Sequence, residues 1–184
     1  MRIFMFAAAL RAESTNKKLI NIAADLAKKA GHEVDLAEFS EFMLPLYDGD
    51  METNQGIPQI AKDFAARMQQ ANAVIISSPE YNHSTPGTLK NLIDWVSRIQ
   101  PSPWKNQYIL LLSASPAMVG GNRGLWATRI PLECCGSFVY PDMFSLSNAY
   151  TAFDQNNQLL DKKLTERLQG LIKDFAQHAA QCTR

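Results

Sequence analysis

The chain has 184 residues, and 18 lysines and arginines balance 18 aspartates and glutamates. That length suits one domain, residues 1–184, whose core needs neither disulfides nor a metal. Zero net charge without a basic run argues against nucleic acid or an anionic membrane as partner, and no stretch approaches the ~20 apolar residues of a membrane span.

Ile3 to Ala8 is a continuous apolar run and reads as a first strand buried on both faces. Charged residues follow it at once, which disfavours a signal peptide. Asn16 to Ala30 is a predicted helix, with Leu19, Ala23, Leu26 and Ala30 on one stripe and Gly31 ending it. Glu33 to Leu36 is a short second strand. Phe39 to Ile57 has no clear period, holds Pro45, Gly49 and Gly56, and reads as a long loop. Pro58 opens a helix that runs to about Asn72, with Ile60, Phe64 and Met68 facing in. Ala73 to Ser77 is strand three, Pro86 to Arg98 helix three, and Gln100 to Asn106 a turn. Tyr108 to Ser113 is strand four, followed by the polar, glycine-containing loop Ser115 to Asn122. Arg123 to Cys134 is helical, kinked or shortened by Pro131. Gly136 to Tyr140 is strand five, and Asp154 to Gln158 a turn or small hairpin. Lys162 to Ala180 is the last helix, with Leu164, Leu168, Leu171, Ile172 and Phe175 facing in.

Five strands alternating with helices predict an α/β fold with a parallel sheet covered on both faces, a three-layer sandwich. Right-handed crossovers leave few topologies, and the expected strand order is 2-1-3-4-5. That order puts the loops after strands one, three and four side by side, where open sheets bind ligands. The cysteines are Cys134, Cys135 and Cys182, an odd set with no CxxC pair. A disulfide framework or zinc site is not expected, and the pattern fits a reducing, cytoplasmic setting. Cys134 and Cys135 are expected as core or interface thiols.

The first of the three loops, Ala8 to Asn16, offers Ser14, Thr15 and Asn16 as N-caps, with Arg11 beside them. A helix N-terminus with one arginine suits a phosphate; ordinary capping with Arg11 on the surface is the alternative. The loop lacks GxxxxGK[ST] and GxGxxG, which disfavours a P-loop nucleotidase and a dinucleotide grip. It also lacks the cysteine a low-molecular-weight phosphatase uses as nucleophile. The second loop is bounded by Pro79 and Pro86, with Gly87 entering the next helix. Backbone groups there can face a flat heterocycle. His83 sits in it and either contacts a substrate or lies in solvent. Arg123 and Arg129 face either a substrate phosphate or a subunit partner. Trp95, Trp104 and Trp126 are expected in packing or subunit contacts, and Tyr47 either packs in the core or helps cover a neighbouring subunit's site.

Pro79-Glu80-Tyr81-Asn82, then Ser84, Pro86-Gly87, Leu89-Lys90-Asn91 and Ile93-Asp94-Trp95, resembles the NADPH-dependent FMN reductase family, with its chromate, quinone and azo-dye reductases of flavodoxin-like fold. Leu10, Arg11, Ser14 and Asn16 are similar to that family's first cofactor loop. Ser113-Ala114-Ser115-Pro116 with Gly120-Gly121 and Arg123 resembles its third. The resemblance implies that Arg11, Ser14 and Asn16, with the amides around Thr15 and Lys17, hold the FMN phosphate. It implies that Pro79, Glu80, Tyr81 and Asn82 line the isoalloxazine and that Ser115 closes the other side. It implies an FMN-dependent enzyme using NADPH or NADH to reduce a small-molecule acceptor (a quinone, azo compound, metal oxyanion or free flavin) by ping-pong hydride transfer. The chemistry is then flavin-borne, with no catalytic side chain and no metal. It further implies a homodimer or homotetramer. The alternatives are a flavodoxin-type electron carrier and a binding protein of this fold without FMN. One departure stands out. Ala8-Ala9 occupies the place of the family's Gly-Ser, which removes a hydroxyl worth about tenfold in FMN affinity, and costs more if the glycine serves a positive φ.

Overall fold

In the computed structural model, which describes residues 1–182, six strands form one sheet and every pairing is parallel. Residues 183 and 184 of the expected single domain lie outside the described residues. The sheet order is β2 (Glu33–Ala37), β1 (Arg2–Ala7), β3 (Ala73–Ser77), β4 (Tyr108–Ala114) and β5 (Phe138–Val139), as expected. The three central strands are buried almost throughout because helices cover both faces. Side chains alternate between two cores. Ile3, Met5 and Ile75 face a layer built from α1 (Thr15–Lys29) and α6 (Lys162–Cys182). Phe4, Phe6 and Ile76 face α3 (Gln59–Gln70), α4 (Gly87–Val96) and α5 (Asn122–Cys134).

The expected fifth strand is split. β5 pairs with Tyr108 and Ile109, and a separate β6 (Phe144–Leu146) pairs with Leu112 to Ala114 further along the same neighbour. The Tyr140 amide makes the last bond of the first piece, to Ile109 O at 2.8 Å. Pairing with β4 then lapses over residues 141–143 and resumes at Phe144. The segment expected as a long loop after β2 also has structure. A 3-10 turn at Phe39–Phe42 packs Phe39 on Phe6 and Phe42 on Phe64, with ring centroids 5.8 and 4.9 Å apart. The seven-residue α2 (Gly49–Gln55) is capped by Asp48, which accepts from the Asp50 amide at 2.8 Å. Both elements are too short to display a period. Pro131 sits inside α5, near its end. Trp95 and Trp104 are fully buried, whereas Trp126 is 56% exposed. Among the described residues no helix is long and apolar enough to cross a membrane.

Candidate functional site

β1, β3 and β4 end together at one edge of the sheet, and the loops that leave them are bound to each other. The Ala8 amide donates to Ser77 O at 2.9 Å, and the Ser78 amide donates to Leu112 O at 2.8 Å. Ser14 caps α1 in extended conformation, and its Oγ accepts from the Asn16 amide at 3.3 Å. Asn16, 2% exposed, then reaches across the strand ends. Its Oδ1 accepts from Ser77 Oγ at 2.9 Å and from the Ala114 amide at 3.0 Å. Its Nδ2 donates to Ala114 O at 2.9 Å. Thr15 Oγ1 donates to the same carbonyl at 3.2 Å. One buried amide therefore locks the first turn of α1 to the ends of β3 and β4.

The second and third loops are locked by different means. Tyr81 and Ser84 exchange backbone bonds at 3.0 and 3.2 Å around Asn82 and His83, both with positive φ, which is a primed two-residue turn. Glu80 Oε2 accepts from the Gly124 amide at 2.7 Å and so caps the start of α5. A Cβ on Gly124 would lie 2.8 Å from Glu80 Cβ, so only glycine lets the helix approach this closely. Gly121 has φ 83°, and a Cβ there would lie 2.0 Å from Ser113 Oγ. Thr85 and Thr128 hydroxyls meet at 2.9 Å and tie α5 to the far end of the second loop.

Between the loops lies a crevice of about 280 Å³. Arg11, Ser14, Thr15, Asn16, Pro79, Glu80, Tyr81 and Ser115 all line it. Two expected residues do not. The Lys17 amide is engaged by Ser14 O at 3.0 Å, and its ammonium turns away to Glu38 at 2.8 Å. Asn82 sits at the exposed tip of the turn. Asn16 reaches the crevice wall with its Oδ1 taken by two protein donors and one Nδ2 hydrogen on Ala114 O. Tyr150, 66% exposed, lines the crevice and was not expected from the sequence. It sits on a 3-10 turn, Ala149–Thr151, that hangs from the third loop through Ala149 N to Ser115 O at 3.0 Å. Asn148, left-handed in the structure, opens that turn two residues before Tyr150.

The lining combines two kinds of chemistry. At one end the Ser14 hydroxyl can still donate, the α1 N-terminus carries positive potential, and no acidic residue occupies its first turn. Arg11 is exposed there, and among the described residues its side chain hydrogen-bonds only Glu13 O, at 3.0 Å. That end suits a phosphate. The rest of the lining includes Pro79, Tyr81, Pro116 and Tyr150, whose prolines and aromatic rings suit a flat ring.

A family model described as NADPH-dependent FMN reductase matches residues 1–151. A quinone reductase of Pseudomonas putida is 32% identical over 173 residues, covering 91% of this chain and 88% of that relative. An NAD(P)H:quinone oxidoreductase of Solanum tuberosum is 31% identical, covering 89% and 84%. Among solved structures, a flavoenzyme NAD(P)H:(acceptor) oxidoreductase from Paracoccus denitrificans superposes with a TM-score of 0.83 at 24% identity, covering 98% of this chain and 97% of that one.

Proposed function

This chain belongs to the NADPH-dependent FMN reductase family, and on that premise we propose that it is an FMN-dependent NAD(P)H oxidoreductase acting on quinones and related small electron acceptors, with its cofactor in the crevice between the first three sheet-edge loops. The observation that carries the placement is the convergence of Ser14, Arg11, Pro79, Tyr81 and Ser115 on one cavity from three separate loops. The residues fit the group. Neither Ala8 nor Ala9 has a positive φ, so the missing glycine costs no backbone strain. Both are buried, at 1% and 3% exposure, and neither lines the crevice.

Bound FMN supplies the hydride chemistry. The protein's own part is to hold and orient. Ser14 Oγ donates to the phosphate, and Arg11 swings its guanidinium onto it at little cost, because nothing else fixes it. Asn16 keeps that turn in register with the sheet. Tyr81 and Tyr150 shield the ring region from water on its open sides. Glu80 serves the frame by holding α5 against the second loop.

Trp126 and Ile130, one turn apart on α5, are 56% and 71% exposed and support a homodimer or homotetramer. Light scattering on the purified protein measures that state. The unpaired Cys134 and Cys135 support a reducing compartment such as the cytoplasm. The deciding experiment is reconstitution with FMN followed by NADPH oxidation with a quinone. Flavin absorbance, an FMN-dependent rise in melting temperature and quinone-dependent turnover are expected. A protein that takes up FMN but is not reduced by either nicotinamide nucleotide is a carrier, and one that takes up no FMN is a binding protein.

A further inference from the structure

Among the described residues Glu80 is the one carboxylate in the crevice lining. Its side chain is half-buried and fixed along its length. The stem is pressed against two glycines: a Cβ on Gly124 would lie 2.8 Å from Glu80 Cβ, and one on Gly121 would lie 3.6 Å from the same atom. At the tip, Oε2 accepts from the Gly124 amide at 2.7 Å, and the other carboxylate oxygen has no hydrogen-bond partner among the described residues.

Asp35 and Asp94, half-buried like Glu80, sit on Arg67 and Lys90. Glu80 differs: among the described residues no lysine, arginine or histidine nitrogen lies within ion-pair distance of it. Arg123, next in the chain to the amide that holds Glu80, places Nη1 on His83 Nε2 instead, at 3.2 Å. The frame alone does not call for a charge here, because a neutral amide oxygen accepts the Gly124 bond equally well. A carboxylate at the start of the 13-residue α5 is favourably placed, so the fold holds an anion at the crevice wall.

We propose that Glu80 sets the driving force of the reaction: its carboxylate lowers the reduction potential of FMN bound in the crevice. The assignment rests on the oxidoreductase reading of the same crevice. A hydride from NAD(P)H carries two electrons and one proton, so the ring region gains negative charge unless a second proton follows from solvent. A fixed carboxylate opposes that gain and affects the uncharged oxidised ring little. The same two electrons pass on to a quinone with greater driving force. It leaves as the hydroquinone, with one proton from the hydride and one from solvent.

The test compares the midpoint potentials of FMN-loaded wild type, Glu80→Gln and Glu80→Asp, measured by anaerobic equilibration with a reference dye and without nicotinamide nucleotide. Glu80→Gln keeps an acceptor for the Gly124 amide and removes the charge. Its reduced FMN binds about tenfold more tightly relative to oxidised FMN, a rise of about 30 mV in potential. The rise is larger at low salt than at high salt. Glu80→Asp keeps the charge, disturbs the cap and stays near the wild-type potential. In single turnover, Glu80→Gln is reduced faster by NADPH and hands electrons to a quinone more slowly. Equal potentials in wild type and Glu80→Gln overturn the proposal, as does an equal rise in Glu80→Asp, which marks the frame rather than the charge. Equal weakening of oxidised and reduced FMN overturns it as well. A wild type that takes up no FMN overturns this proposal together with its parent reading. An FMN-loaded wild type that neither nucleotide reduces, but whose potential responds to Glu80→Gln, refutes the oxidoreductase reading alone and supports the role of Glu80.

Discussion

Asn16 gives the sharpest test of how the crevice is built. In Asn16→Ala, Ser77 Oγ and the Ala114 amide lose their acceptor, and Ala114 O keeps only Thr15 Oγ1. Both orphaned donors belong to residues buried at the sheet edge, with Ser77 at 0% and Ala114 at 3% exposure. A buried orphan costs about 1–3 kcal/mol, and water entering from the crevice relieves part of that. The expected loss is about 2–4 kcal/mol, against a total stability of about 5–15 kcal/mol for a domain. The melting temperature of the FMN-free protein therefore falls by about 5–15 °C. Asn16→Asp is the informative companion. It keeps the acceptor for Ser77 and Ala114 N but turns the donor into a carboxylate oxygen facing Ala114 O, so it also destabilises the FMN-free protein. Calorimetry without FMN and FMN titration by fluorescence quenching measure the two effects separately. FMN affinity falls in both variants because the first loop loses its anchor. A variant that loses FMN affinity while the FMN-free melting temperature stays unchanged would refute the argument, since that is the behaviour of a phosphate ligand with no role in the frame.

Arg11→Ala should do the reverse: FMN affinity falls by about tenfold, more at low salt than at high salt, while the FMN-free melting temperature moves little, because among the described residues Arg11 hydrogen-bonds only Glu13 O. Gly124→Ala forces a Cβ to 2.8 Å from Glu80 Cβ; the second loop must shift away from α5, and FMN affinity and stability fall together, by about 1–3 kcal/mol in stability. Asp35 sets the acid limit. The Arg67 hydrogen bonds hold its carboxyl below the usual range against the opposing effect of burial, with the charges of Arg67 and Arg2 adding to the depression. A depressed folded-state value means this stabilisation is complete above about pH 4 and disappears as pH falls through the folded value. Asp35→Asn should thus melt below wild type at pH 7, and the gap should close as scans move toward pH 3.

The strands were legible because both faces of this sheet are covered, so β1, β3 and β4 read as unbroken apolar runs. The helices α1, α3 and α6 were legible from their stripes, and the order 2-1-3-4-5 followed from alternation and handedness. The three loops were legible as polar interruptions after strands. What was not legible depended on contacts far apart in the chain. Asn16 at a helix start reads as a cap or a phosphate ligand; its partners lie 61 and 98 residues away. Lys17 reads as part of the phosphate turn, but helical rotation takes it to Glu38. The Glu80–Gly124 cap joins two loops that no local pattern connects.

The split fifth strand explains why Tyr150 reaches the site. After the gap at residues 141–143, β6 re-forms pairing opposite the last residues of β4. That register delivers Leu146 O to the Ser115 amide at 3.0 Å, and Ser115 O in turn receives the Ala149 amide at 3.0 Å. The 3-10 turn is thereby suspended over the third loop, with Tyr150 at the crevice. β6 is therefore as much a part of the binding apparatus as the loops. Every crevice residue lies at or before position 150, and the family match runs to position 151. The α6 helix beyond it serves the core through Leu168, Ile172 and Phe175. A residue substituted in α6 should then act on stability alone, whereas one substituted in β6 should act on the crevice through its register against β4.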